Sequence, residues 1–268
     1  MLQKGLYFLG NRYYNVFDNI FRRSIKMATV LNYQLTIFGT YSIEPSPDTI
    51  TLLMNAINTA TGELFLPNLI SGQQVEIPSN RITTISNLGY VTQNQKYNIS
   101  ILNERIDINY HRVDNSDLGI SDFYQFAVKA LSAIMQEFSL KSNRLAANIQ
   151  VLANSIQEPL IPDLGKKLVT SAEYYDDKPF IEWSTRINSI SCVQINNIEE
   201  KLNTILSINT AIENPSQRQA LLYHLDINTV PQNTTLRFCS ASLEEFTTSV
   251  TPIIEKILVD VERLISIG

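Results

Sequence analysis

The stretch Tyr97-Asn98-Ile99-Ser100-Ile101-Leu102-Asn103-Glu104-Arg105-Ile106-Asp107-Ile108-Asn109-Tyr110-His111 holds two runs of alternating apolar and polar residues. Ile99 and Ile101 set one parity, and Ile106, Ile108 and Tyr110 set the other. Side chains alternate across a strand with a period of two, so a parity change at Asn103-Glu104 is what a two-residue turn produces. The stretch reads as an antiparallel hairpin with one apolar and one polar face.

The chain on either side supplies what such a hairpin needs for a core. Downstream, Phe123, Phe126, Ala127, Ala130, Leu131, Ile134 and Phe138 recur at helical spacing after Ser121-Asp122, and Leu145, Ala147, Ile149 and Val151 then alternate as a strand. Upstream, Tyr33, Leu35, Ile37, Tyr41 and Ile43 alternate. They lead to Ser46-Pro47-Asp48, a capping residue, a proline suited to the first helical position and an acid that complements the helix dipole. Ile50, Leu53, Met54 and Ile57 form the stripe of that helix, and Thr61-Gly62 stops it. Short β-like runs over 64–66, 75–77, 81–85 and 90–92 fill the interval to the hairpin.

Residues 154–180 contain Pro159, Pro162, Gly165 and Pro179 and read as a junction with a short helix over Asp163–Ser171. Strands are expected over 180–195, 204–212, 221–230 and 236–239, with Glu199-Glu200-Lys201 as a turn or short helix. Ser242-Leu243-Glu244-Glu245 has the form of a capping box. The helix after it is expected to bury Phe246, Val250, Ile253, Ile257, Val261 and Leu264 and to kink or split at Pro252.

The two parts share a pattern. Arg105-Ile106-Asp107-Ile108-Asn109 matches His224-Leu225-Asp226-Ile227-Asn228, and each precedes a helix with a Phe near its start, Phe123 or Phe246. The expected fold class is α+β, with mostly antiparallel sheets, helices packed on one face and two similar sheet-plus-helix halves. The organisation is a basic aromatic leader over 1–29, an N-terminal half over 30–155, a junction over 156–180 and a C-terminal half over 181–268. Residues 1–26 carry five Lys and Arg against Asp18 alone and lack the continuous apolar core of a secretory signal. Met27 is a second candidate start.

Of the 268 residues 44% are hydrophobic and 18% charged, which excludes a disordered chain, and no apolar run is long enough to span a membrane. A net charge of −5 does not favour nucleic acid, whose phosphates attract Lys and Arg. Two cysteines, Cys192 and Cys239, give no framework and read as reduced, buried thiols of a cytoplasmic protein.

Groups able to do chemistry are few. His111 and His224 are the only histidines, and no HExxH, CxxC, GxSxG, GxGxxG or GxxxxGK[ST] motif occurs, so neither a metal nor a cofactor is implied. If the chain is an enzyme, its candidates are His224 with Asp226 as an oriented base, Asp107 paired with Asp226, and Glu199 with Lys201 and Asp176 or Asp177 around Mg²⁺. Tyr174, Tyr175 and Trp183 are the candidate aromatic contacts for a partner.

The run Tyr97–Tyr110 with the Ser121–Phe138 helix resembles a sporadically distributed prokaryotic family of unknown function. Its members have a β-rich N-terminal half with a strand ending in an Asn-x-Arg-like element, here Asn109-Tyr110-His111-Arg112. They close with a Leu-Asp-Ile-Asp-like strand and a long helix, here Leu225-Asp226-Ile227-Asn228 and the helix over 246–265. The resemblance implies no catalytic residue, and the patchy distribution of the family implies mobile or antiviral-defence genes. The expected function is a non-catalytic protein-interaction or sensor module that binds another protein and can form homo-oligomers. The alternatives are a Mg²⁺-dependent nuclease or phosphodiesterase and a structural component of a phage or other assembly.

Overall fold

The computed structural model describes residues 28–76, 81–114, 117–153, 160–169, 173–175, 177–213 and 217–266. The leader, including Met27, lies outside them, as does Asp176. In chain order the strands are β1 (Thr29–Phe38), β2 (Phe65–Glu76), β3 (Arg81–Thr92), β4 (Tyr97–Ile101), β5 (Arg105–His111), β6 (Arg144–Ala153), β7 (Ser184–Ile195), β8 (Ile198–Glu213) and β9 (Arg218–Thr229). The helices are α1 (Pro47–Thr61), α2 (Ile120–Glu137), α3 (Leu160–Leu168) and α4 (Ser240–Ser266). All nine strands form one antiparallel sheet in the order β2-β3-β4-β5-β1-β6-β9-β8-β7. The protein is therefore α+β, with the helices on one face of the sheet.

The hairpin forms where its parity switch placed it, with Ile99 opposite Ile108 and the turn closed by bonds between Leu102 and Arg105. Helix α1 starts as its punctuation dictates: Ser46 Oγ accepts from the Thr49 amide at 3.1 Å, and Gly62 ends the helix in the left-handed region, which glycine enters without steric cost. Alternate residues of the central strands, Leu35 and Ile37, Ile106 and Ile108, Leu145 and Ala147, Leu225 and Ile227, are fully buried. They meet Leu53 and Ile57 of α1, Phe123, Ala127 and Leu131 of α2, and Phe246, Val250 and Ile254 of α4. At about 25 cal/mol per Å² of apolar area removed from water, this single layer between sheet and helices is the main stabilising contribution.

The two halves occupy equivalent positions. β1 and β6 pair at the centre, with Leu35 facing Ala147. β5 flanks β1 with Asp107 opposite Thr36, and β9 flanks β6 with Asp226 opposite Asn148. Each flanking strand leads into a long helix, α2 or α4, and these two helices pack on each other. A pseudo-twofold axis through the Leu35–Ala147 pair, normal to the sheet, relates β5 to β9, β4 to β8 and β3 to β7. β2 has no counterpart among the described residues. By topology the second unit begins at β6, before the junction.

Several expectations are corrected. Glu199-Glu200-Lys201 lies inside β8, and the turn before it is Asn196-Asn197, both left-handed at φ 54° and 59°. Leu236–Cys239 is reduced to a single bridge between Ser142 and Phe238. Helix α4 starts at Ser240, so Cys239 takes the cap position and Ser242 Oγ reaches back to its amide at 3.0 Å. Pro252 lies within a helix that is not split, and Leu264 is 41% exposed rather than buried. Both thiols are exposed and free, because Cys192 sits on the outermost strand and Cys239 on a helix cap.

Candidate interaction surface

Nothing among the described helices covers the other face of the sheet, whose central residues fall into three cross-strand rows. The first runs Ile190, Asn203, Asn228, Ala146, Thr36, Asp107, Ser100, and its middle members Asn228, Ala146, Thr36 and Asp107 are buried, so the accessible rows are the other two. The second runs Asn188, Ile205, Asp226, Asn148, Gln34, Asn109, Asn98. The third runs Arg186, Ser207, His224, Gln150, Asn32, His111. Period-two alternation puts these residues here once Leu35, Ile108, Ala147 and Leu225 point at the helices.

The rows are dominated by carboxamides and hydroxyls, and neighbours bond to one another. Asn148 Nδ2 donates to Gln34 Oε1 at 3.1 Å, Asn109 Nδ2 to Asn98 Oδ1 at 2.9 Å, and Asn228 Nδ2 to Asp226 Oδ1 at 2.9 Å. Asn32 Nδ2 and His111 Nδ1 lie 3.0 Å apart, and burial pushes the His111 pKa down. Two buried polar atoms at the β6–β9 end, Asn228 Oδ1 and Arg144 Nε, have no hydrogen-bond partner. The Arg144 guanidinium stacks over Phe38 at 4.4 Å, and burial lowers its pKa against the opposing pull of Asp226.

The candidate enzymatic residues are placed apart. Asp107 and Asp226 share the open face but stand in adjacent rows on strands three positions apart in the sheet, roughly 14 Å at the usual strand spacing. They do not face each other as a carboxylate pair. His224 and Asp226 follow one another on β9 without bonding, since Asp226 takes the Asn228 amide instead. Glu199 and Lys201 lie on β8 opposite Gln194 and Cys192, near the β7–β8 turn. Asp177 is exposed and paired with Lys178 at 2.8 Å. Among the described residues no three His, Cys, Asp or Glu side chains gather as a metal site.

Asp107 is the buried charge of this face, at 3% exposure, accepting from the Thr36 hydroxyl at 2.7 Å and from Arg105 Nε at 3.0 Å. Burial raises its pKa, and the Thr36 and Arg105 contacts only partly oppose this. An acid whose folded pKa exceeds its unfolded one favours the fold most below the ordinary aspartate range. That contribution is lost as pH rises through the raised value. Asp107→Asn, which keeps an acceptor for Thr36, is therefore expected to gain Tm relative to wild type at pH about 7 and to lose that advantage near pH about 3.5. Melts across the interval check it, and a difference independent of pH would remove the argument.

The aromatic candidates separate as well. Trp183 is 6% exposed, donates Nε1 to the Ile161 carbonyl at 3.1 Å and packs on Gly165, so it holds α3 rather than facing outward. Tyr175 is 48% exposed beside Phe180, and the Tyr174 side chain is outside the described residues.

Between α2 and α4 lies a groove of about 510 Å³. Its walls are related by the pseudo-twofold axis: Ser121 corresponds to Glu244, Tyr124 to Thr247 and Gln125 to Thr248. The pattern of matching Phe123 and Phe246 carried this signal, but only the packed helices show that the neighbours of those residues line one space.

The fold and this face define an α+β protein with an internally symmetric antiparallel sheet whose open side is an amide-rich array. No family model matches the chain, and no curated protein matches it. Among the described residues no helix is long and apolar enough to cross a membrane.

Proposed function

We propose that the protein is a non-catalytic interaction module that binds another protein through the open face of its sheet. One observation carries the reading: the polar residues of that face are spread along three rows and bonded to one another, and among the described residues the face brings no nucleophile, base and electrophile together. Carboxamides serve as adaptable donors and acceptors, and a low charge density suits burial against a partner better than a lysine-rich surface does. The net charge of −5 does not favour nucleic acid as the partner. A cytoplasmic role in an antiviral-defence or mobile-element system belongs to the same proposal and rests on the family resemblance.

The test has two arms. Gln34→Arg with Asn148→Glu, which sets opposite charges across the β1–β6 pair, is expected to abolish recovery of a partner that the wild-type protein retains from native cells, with Tm changed little because both residues are half-buried on the open face. Plasmid and RNA incubated with the protein and Mg²⁺ or Mn²⁺ are expected to stay intact. Cutting that Asp226→Ala or Glu199→Ala abolishes would overturn the binding reading in favour of a nuclease.

A further inference from the structure

We infer that the outer edge of β7 is a docking edge for a second copy of this chain, paired antiparallel about Ile190. β7 is twelve residues long and, among the described residues, pairs only with β8. The pseudo-twofold axis shows what its other side lacks. Its counterpart β3 is flanked by β2 along a register from Phe65–Thr92 to Glu76–Arg81, and among the described residues the second half has no strand equivalent to β2. Among the described residues the sheet thus ends one strand short on this side.

Sheets protect such edges with charge, proline, bulges or brevity. The opposite edge, β2, carries Pro67. β7 has no proline and no lysine, its single charge is Arg186, and Ile187 and Ile190 are 59% and 67% exposed. An unprotected row of amides and carbonyls of this length favours an added strand.

The side chains favour self-pairing in one register. With Ile190 opposite itself, Ile187 falls opposite Val193 of the second copy on the helix side, and Asn188 falls opposite Cys192 on the open side. Arg186 falls opposite Gln194, whose neighbour across β8 is Glu199. Each copy's lone β7 cation therefore enters the row of an exposed carboxylate, and no like charges meet. Shifting the centre to Ser189 sets Ile187 against Ser191 and Ile190 against Asn188, apolar against polar. The two sheets then run on as one, with all helices on one side and both open faces on the other. The inference stands independently of what the open face binds.

Sedimentation of the full chain at about 1 to 100 μM, the range in which strand-mediated dimers of modest area dissociate, reads the outcome. Wild type is expected to dimerise. Ile190→Lys, which sets two cations against each other at the axis, is expected to weaken the dimer at least tenfold with far-UV CD and Tm unchanged. Ile190→Cys in a Cys192→Ser, Cys239→Ser background is expected to cross-link as a covalent dimer on mild oxidation. A wild-type monomer throughout, or a dimer that Ile190→Lys leaves intact, overturns the inference, and so does failure of Ile190→Cys to cross-link.

Discussion

Glu200→Ala is expected to destabilise the fold by about 3–5 kcal/mol, the usual effect of removing one partner of a buried ion pair. Glu200 and Arg237 are joined by two bonds, Nε to Oε1 and Nη2 to Oε2 at 2.9 Å, with side chains only 7% and 11% exposed. Arg237 stacks over Phe238 at 4.3 Å and gives Nη1 to the carbonyls of Asn143, Asn233 and Thr235. It thereby clamps the segment between β9 and α4 onto the start of β6. Losing the carboxylate leaves a guanidinium out of water with carbonyls alone. The check is the urea midpoint at unchanged slope. Replacing both residues with apolar ones of similar volume should cost less than Glu200→Ala alone, and a single-variant loss below about 1 kcal/mol would show the pair to be solvated.

Trp183→Ala is expected to cost about 3–5 kcal/mol, in the range for truncating a buried aromatic. A Cβ at Gly165 would stand 2.6 Å from the indole, so helix and ring meet with no room between them. Removing the ring leaves a cavity under α3, frees the Ile161 carbonyl and loosens the start of β7, where the Thr210 amide bonds the Trp183 carbonyl at 3.2 Å. Tyr175→Ala should change stability by no more than about 0.5 kcal/mol, as is usual at exposed sites. Denaturant melts of the two variants decide it, and equal effects would remove the distinction between anchor and surface aromatic.

Both sites bear on what was legible beforehand. The hairpin at Asn103-Glu104 and the cap of α1 were readable because their determinants are neighbours in sequence. The order β5-β1-β6-β9 was not, because Thr36 meets Asp107 and Leu35 meets Ala147 only through closure of long loops. Glu199-Glu200-Lys201 suggested a turn since consecutive charges suit strands poorly. In the fold, Glu200 points at Arg237, a partner 37 positions away, and the pair overrides local preference. The match between residues 105–109 and 224–228 did anticipate equivalent strands, since Asp107 and Asp226 lie opposite Thr36 and Asn148 in equivalent registers. Their separation was invisible, because alternation sets the face of a strand and not its place in the sheet. The histidines show the same gap: His111 and His224 share a row that no spacing in the chain betrays.

The pairing of β1 with β6 at the middle of the sheet has a consequence for the nascent chain. β1 is complete at Phe38, but its second partner ends only at Ala153. At roughly 5–20 residues per second, a ribosome needs on the order of ten seconds to span that interval. Throughout it, the first half to emerge displays Tyr33 to Phe38 as a raw border, open to the same border on a neighbouring polysome product. Synthesis rate and chaperone occupancy are then expected to affect how much of this polypeptide reaches its native form.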